Sequence, residues 1–166
     1  MLFNSLDFFI FLPIVFTLYW FVFDKKNQVQ NSFILIVSYI FYGLWDWRFL
    51  ILIFTSTVID FFIGQAIHIS DSKRNRKYWL WISIIFNLSL LGFFKYYNFF
   101  IDSWVDFLSI FGYNLKSVWT LQIILPVGIS FYTFQTLSYT IDVYRKQLEP
   151  SKDIISFFAF VSFFPQ

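Results

Sequence analysis

The chain has 166 residues, of which 58% are hydrophobic and 13% charged, and its net charge is +2. Soluble domains contain about 45–50% apolar and about 25% charged residues, so this composition predicts an integral membrane protein. The absence of cysteine excludes disulfides and thiolate metal sites. The small, scattered positive charge excludes a typical nucleic-acid-binding surface.

Six apolar stretches are long enough, or nearly so, to cross a bilayer as helices of about 20 residues. They comprise residues 6–23, 31–45, 49–69, 79–94, 121–143 and 154 to the end. The first lacks the basic start and the small-residue cleavage site of a signal peptide, so we interpret it as a retained span. The sequence therefore predicts an all-α fold, a polytopic transmembrane helical bundle in which residues 1–166 belong to a single domain.

The third predicted span carries polar groups at membrane depth. Asp60 lies near its middle, and a carboxylate there is costly and hence a functional candidate. If spans three and four form an antiparallel hairpin, Asn87 lies at the same depth and can donate a hydrogen bond to Asp60. That bond is either a structural link between helices or part of a functional site. His68, the only histidine, lies at the inner end of the span, and we interpret it as an interface residue.

Residues 96–120 show a helical period instead of a continuous apolar run. Apolar side chains recur there at steps of three and four: Phe100, Trp104, Phe107, Leu108 and Phe111. We predict one amphipathic helix that lies at the membrane interface on the rim of the protein, in preference to a seventh span. It is expected to end near Gly112 and Asn114.

Lysine and arginine are unevenly distributed between the loops. Nine lie in the loops after spans one, three and five, against three on the other side. Because positive residues favour the cytoplasm, the N-terminus and the interfacial helix are expected outside, and the loops at residues 71–77 and 145–153 inside.

The fifth span, within LPVGISFYTFQTLSYTIDVYR at residues 125–145, is too polar to be surrounded by lipid. One stripe of its helical wheel carries Ser130, Gln135, Ser138 and Asp142, and a second carries Thr133, Thr136 and Thr140. Such a helix lies inside a bundle or lines a cavity. Two interpretations remain open: a packing helix whose hydroxyls bond to its own carbonyls, and a cavity-lining helix. Asp142 and Arg145 are expected to form an i,i+3 pair.

Six motifs, taken in order, resemble the membrane-bound O-acyltransferase family, and within it the alginate O-acetyltransferase membrane subunits. They are FLPIVFTLYW (11–20), SYIFYGLWDWRFL (38–50), VIDFFIG (58–64), LGFFKYYNFF (91–100), ILPVGISFYTFQTLSYTIDVYR (124–145) and FFAFVSFFPQ (157–166). The resemblance covers essentially the whole chain but only about the N-terminal third of the family's length, which implies a partial fold.

The resemblance implies transfer of an acyl group, usually acetyl, to a hydroxyl of an extracytoplasmic polysaccharide. The donor, acetyl-CoA or an acyl carrier, would be a cytoplasmic substrate, and no bound cofactor or metal is expected. The implied location is the bacterial inner membrane, as a multi-pass protein. The implied partners are the lipid bilayer, the polysaccharide acceptor and periplasmic or extracellular acetyl-transfer accessory proteins.

The family's catalytic histidine is expected in a later segment, so we assign no catalytic residue here and expect this chain alone to be inactive. The candidates for channel lining or core polarity are Asp60, Asn87, Gln135, Ser138 and Asp142. The alternative functions are a transporter or flippase subunit, a D-alanyl transferase of teichoic acids, and a non-catalytic membrane scaffold.

Overall fold

A computed structural model describes residues 5–22, 27–44, 46–111 and 128–164, and within these ranges the fold is entirely helical. The elements are α1 (Leu6–Thr17), a π-helical turn that continues it (Leu18–Val22), α2 (Asn27–Gly43), α3 (Trp47–Ile69), α4 (Lys73–Ile110), α5 (Ile129–Arg145) and α6 (Ile154–Val161). The predicted all-α class is confirmed.

Short polar side chains fix where four of these helices begin. Ser5, Asp46, Ser72 and Asp153 are the N-cap residues of α1, α3, α4 and α6, and each accepts a hydrogen bond from a backbone N–H in the first turn. Such caps satisfy amide groups that have no partner within the helix. By contrast, α5 follows Gly128, whose φ of 80° suits a residue without a side chain.

The centre of the molecule is a bundle of α3, α4 and α5, in which each helix packs against the other two. Its apolar core includes Ile53, Ile67, Leu91, Ile129 and Val143. Helix α6 packs against α2 and closes one side of this bundle. A second apolar cluster, built by Val15, Val37, Phe41 and Phe164, joins α1 to α2 and to the end of α6.

Two helices among the described residues are long and apolar enough to cross a membrane: α3 and the segment Lys73–Tyr97 of α4. A shorter apolar helix covers Leu6–Phe21. The prediction of six spans is not confirmed, because α2 and α5 have 17 residues each and α6 has eight. Residues 121–127 of the fifth predicted span lie outside the described ranges.

Helix α4 corrects the prediction of a separate interfacial helix. It runs without a break for 38 residues, a length of about 57 Å, so residues 96–110 continue its axis. The physical reason is that α4 contains no proline along its whole length, and its one glycine, Gly92, is tolerated inside a long helix. The helix ends at Ile110; Gly112 and Asn114, the expected end residues, lie outside the described ranges.

The start of α4 and the end of α5 lie at the same end of the bundle. The guanidinium of Arg76 donates to the carbonyls of Val143, at 3.4 Å, and Tyr144. At the start of α6, the Ser156 hydroxyl accepts a hydrogen bond from Asn31 Nδ2 of α2 at 2.8 Å. The basic segment at residues 71–77, predicted as a loop, is mostly the start of α4, because Ser72 caps a helix that begins at Lys73. These basic residues and those at the end of α5 are neighbours, as the predicted alternation of spans requires, while the membrane side on which they lie stays a prediction.

Candidate functional site

A buried polar network crosses the interface between α3 and α4. Asp60 has no exposed surface, and Asn87 is 1% exposed. Asn87 Nδ2 donates to the two carboxylate oxygens of Asp60 at 3.0 and 2.9 Å, and the Ser83 hydroxyl donates to Oδ1 at 2.7 Å. The predicted pairing of Asp60 with Asn87 is confirmed.

Helix α5 completes this network with its threonine stripe. Thr136 donates to Asn87 Oδ1 at 3.4 Å, and Thr140 Oγ1 lies 3.2 Å from Ser83 Oγ. Both hydroxyls also reach carbonyls one turn earlier in α5. On this face the packing interpretation is correct: the hydroxyls bond to their own helix and to the α3–α4 hairpin.

The other polar stripe of α5 faces a different environment. Gln135, Ser138 and Asp142 line a groove of about 620 Å³ between α5, α6 and the loop that joins them. Aromatic side chains supply most of the remaining wall: Phe131, Phe134, Tyr139, Phe157 and Phe160. The five candidate residues therefore separate into a buried network (Asp60 and Asn87) and a groove wall (Gln135, Ser138 and Asp142).

Gln135 has an unsatisfied acceptor in this wall. Its Nε2 donates to the carbonyl of Phe160 at 2.9 Å, which fixes the orientation of the amide. Its Oε1 is buried and has no hydrogen-bond partner in the described part of the chain. A buried acceptor without a partner is destabilising by about 1–3 kcal/mol. The fold therefore leaves this acceptor unsatisfied inside the wall, and a new donor reaches it only if Gln135 or its neighbours move.

Asp142 does not form the expected pair with Arg145. The sole ion pair in the described ranges joins Arg48 to Asp46 at 2.7 Å. Asp142 borders the groove, whereas Arg145 is exposed at the end of α5. An exposed i,i+3 pair is worth only a few tenths of a kcal/mol, too little to draw the two side chains together.

Tyr139 is a site residue that the sequence reasoning missed. Its ring lies over Gly64 of α3, and it packs against Phe157 of α6 with ring centroids 4.6 Å apart. Its hydroxyl accepts a hydrogen bond from the Ser151 N–H at 3.2 Å, which holds the α5–α6 loop. The available signal was Gly64 in VIDFFIG, because a glycine inside a helix favours close approach of a neighbouring group.

The α5–α6 loop and the start of α6 form one end of the groove, the end nearest the basic residues. Gln65 Nε2 of α3 donates to the Ser151 carbonyl at 2.6 Å, which ties the loop to the bundle. Asp153 accepts hydrogen bonds from the Ser156 hydroxyl and the Ile155 N–H, and these lower the pKa of its carboxyl below the ordinary value. The loop is therefore a fixed wall.

His68 lies apart from both groups. It is exposed in the last turn of α3, eight residues beyond Asp60, which corresponds to about 12 Å along the helix axis. The structure therefore places the only histidine of the sequence away from the buried network at Asp60, and His68 is not among the residues that line the groove.

Proteins similar to this chain are O-acetylases and O-acetyltransferases. The probable alginate O-acetylase AlgI of Pseudomonas aeruginosa is 39% identical over 99% of the chain, and that of Azotobacter vinelandii 36% identical over 99%. The peptidoglycan O-acetyltransferase of Helicobacter pylori is 32% identical over the full chain.

The chain covers 31%, 32% and 36% of these relatives in turn, about a third of their length. No family model and no solved structure matches it. The similarity nevertheless extends along the entire chain and joins it to relatives from three bacterial genera. By this similarity, the chain corresponds to about a third of these O-acetylases and O-acetyltransferases, in agreement with the resemblance of its motifs to the membrane-bound O-acyltransferase family.

Proposed function

We propose that the chain is part of a membrane O-acetyltransferase that acetylates hydroxyls of a cell-envelope polysaccharide. The observation that carries this proposal is the similarity, over 99–100% of the chain, to proteins named for O-acetylation of alginate and of peptidoglycan. The names of the relatives include two polymers, so the acceptor is an alginate-like polysaccharide or the glycan of peptidoglycan.

The direction of transfer forms a second part of the proposal. The donor, acetyl-CoA or an acetylated carrier, approaches from the cytoplasm, and the polysaccharide and accessory proteins lie outside. The enzyme is a multi-pass protein of the bacterial inner membrane, with its N-terminus outside. The charge asymmetry of the loops supports this orientation, since basic loops favour the cytoplasm.

The groove between α5 and α6 borders the acyl-transfer path in this proposal. One end of the groove, at Asp142 and Glu149, lies at the basic end of the bundle. Gln135 lies two helical turns further into the bundle. The Gln135 amide, which donates to the Phe160 carbonyl at 2.9 Å, joins α5 to α6 in the wall of this path. The buried network at Asp60 keeps α3, α4 and α5 in register behind this wall.

The base that takes the proton of the acceptor hydroxyl comes from outside this chain. Histidine suits that role near neutral pH, but His68 is exposed and is not among the residues that line the groove. It contributes little to catalysis in this proposal, and residues 1–166 alone do not transfer acetyl groups.

The test is an O-acetylation assay of the full-length protein with its accessory proteins and with alginate-like polymer or peptidoglycan as acceptor. We expect acetylation of one polymer, no activity from residues 1–166, and most activity retained in His68→Ala. Gln135→Leu is expected to lower activity at least tenfold, and Ser103→Ala, on the exposed outer part of α4, to leave it unchanged. A folded full-length protein that acetylates neither polymer would contradict the proposal, and transport without acetylation would favour a flippase.

A further inference from the structure

Six exposed cations lie at the end of the bundle where α4 begins and α5 ends. These residues, here termed the basic rim, are Lys73, Arg74, Lys77, Arg145, Lys146 and Lys152. None of them forms an ion pair with a carboxylate in the described ranges, whereas Arg48, at the opposite end, pairs with Asp46. Four carboxylates lie at the same end, on Asp71, Asp142, Glu149 and Asp153, so the basic rim carries an excess of positive charge and none of its cations is held in an ion pair by the described residues.

The fold brings these cations together from separate parts of the sequence. Arg76 binds the carbonyls of Val143 and Tyr144 and lies 5.4 Å from the Tyr144 ring centroid, which fixes the start of α4 beside the end of α5. The last member, Lys152, lies in the α5–α6 loop. The residue before it, Ser151, is hydrogen-bonded to Gln65 and Tyr139. The rim is therefore a surface held in place by the bundle.

The charges at the start of α4 oppose the helix dipole. Acidic side chains stabilise the first turn of a helix and cations destabilise it, typically by about 0.3–1 kcal/mol each. The first turn of α4 contains no acidic residue, and basic residues occupy its start. The same charges also repel those at the end of α5. An external anion at the rim would offset both costs.

The level of the rim along α4 identifies the source of that anion. Directly after Lys77 the helix becomes apolar, and Tyr78 and Trp81 are 62% and 52% exposed. Tyrosine and tryptophan are enriched at the depth of lipid headgroups in membrane proteins. The cations therefore lie where the phosphates of a bilayer would lie, with a lipid-facing apolar surface next to them.

We propose that the basic rim binds the phosphate groups of anionic phospholipids. The occupant is a lipid of the bilayer, because cations and exposed aromatic side chains lie next to each other on α4. This inference does not depend on the proposed enzymatic function. It assigns the basic loops a lipid-binding role in addition to their effect on orientation.

The experiment uses the full-length protein in nanodiscs made of equal parts of phosphatidylcholine and phosphatidylglycerol. After extraction in a neutral detergent, mass spectrometry of the retained lipids gives the ratio of phosphatidylglycerol to phosphatidylcholine. The variant is K73Q/R74Q/K77Q, which spares Arg76 and so keeps the bond to α5. The matched controls are K73R/R74K/K77R, which keeps the charge, and K95Q, which removes an exposed cation beyond the apolar part of α4.

We expect the wild type and both controls to enrich phosphatidylglycerol. The glutamine variant is expected to lose this enrichment, with the affinity falling about fivefold per cation removed, and salt is expected to reduce it in the wild type. Equal composition of retained and bulk lipid in the wild type would overturn the proposal, as would unchanged enrichment in the glutamine variant. Binding of inorganic phosphate at the rim without lipid enrichment would also overturn it.

Discussion

At the scale of single residues, Asp60 illustrates how the fold accommodates a buried carboxylate. A buried carboxylate is tolerated where its oxygens accept hydrogen bonds, and here Ser83 and Asn87 supply three of them. The depth of Asn87 was predictable, since an antiparallel hairpin fixes which residues face at equal height. The contacts of α5 with this network were not predictable, because the pairing of α3 with α4 does not determine which face of a third helix packs against them.

The first prediction tests the coupling between Asp60 and Asn87. Asn87→Leu leaves the carboxylate without two of its hydrogen bonds, so the free energy of unfolding is expected to fall by about 1–3 kcal/mol. The double variant Asp60→Leu/Asn87→Leu removes both polar groups. Its loss of stability is expected to be smaller than the sum of the losses in the two single variants. Thermal unfolding in detergent measures the two single variants, Asp60→Leu and Asn87→Leu, and the double variant. Strict additivity would show that the two residues are not coupled.

A second prediction concerns the contact between Gly64 and Tyr139. A Cβ at Gly64 would lie 2.8 Å from ring atoms of Tyr139, so Gly64→Ala displaces the ring and is expected to cost about 1–3 kcal/mol of stability. Gly92→Ala is the matched control, because that Cβ meets no group of another helix within 4 Å and alanine is favoured in helices by about 1 kcal/mol. Equal melting temperatures for the two variants would contradict the close contact.

At the scale of elements, α5 presents two polar faces to two different environments. The sequence predicted two polar stripes, and the structure directs the threonine stripe into the bundle and the Gln135 stripe to the groove. The packing interpretation therefore holds for the threonine stripe, and the cavity-lining interpretation stays a prediction for the stripe that borders the groove. Periodicity identifies the faces of a helix, but the neighbour of each face depends on long-range packing that a single segment does not encode.

Helix α4 supports a prediction about its length. In the continuous helix, 28 residues separate two exposed positions, Asn75 and Ser103, which corresponds to about 42 Å. A right-angle bend near Lys95, as an interfacial helix would require, shortens this distance to about 32 Å. Since the chain has no cysteine, spin labels at Asn75→Cys and Ser103→Cys report the distance by pulsed electron paramagnetic resonance. A peak near the shorter value would contradict the straight helix.

At the scale of the whole molecule, the described helices alternate in direction. Phe8 and Phe11 of α1 contact Phe41 near the end of α2, and Phe11 also contacts Phe164 beyond the end of α6. The starts of α2 and α6 meet at the opposite end through Asn31 and Ser156. The basic residues at the start of α4 and those around the end of α5 lie together at that end, so the charge count made from the sequence corresponds to a physical surface.

The last prediction assigns the two ends of the molecule to sides of the membrane. If the basic rim faces the cytoplasm, a cysteine at Ser72 is shielded in intact spheroplasts, and a cysteine at Ser109, near the other end of α4, reacts with an impermeant maleimide. Ser72 also caps α4, and removing a cap costs about 1 kcal/mol, so Asn75→Cys, exposed one turn later, repeats the measurement with the cap intact. Both shielded positions are expected to react after permeabilisation, which verifies that the thiols are accessible. Reaction of Ser72→Cys and Asn75→Cys before permeabilisation, with Ser109→Cys protected, would reverse the orientation. That outcome would place the basic rim and the end of the groove nearest to it on the side of the polysaccharide, where a cytoplasmic acyl donor has no access to them.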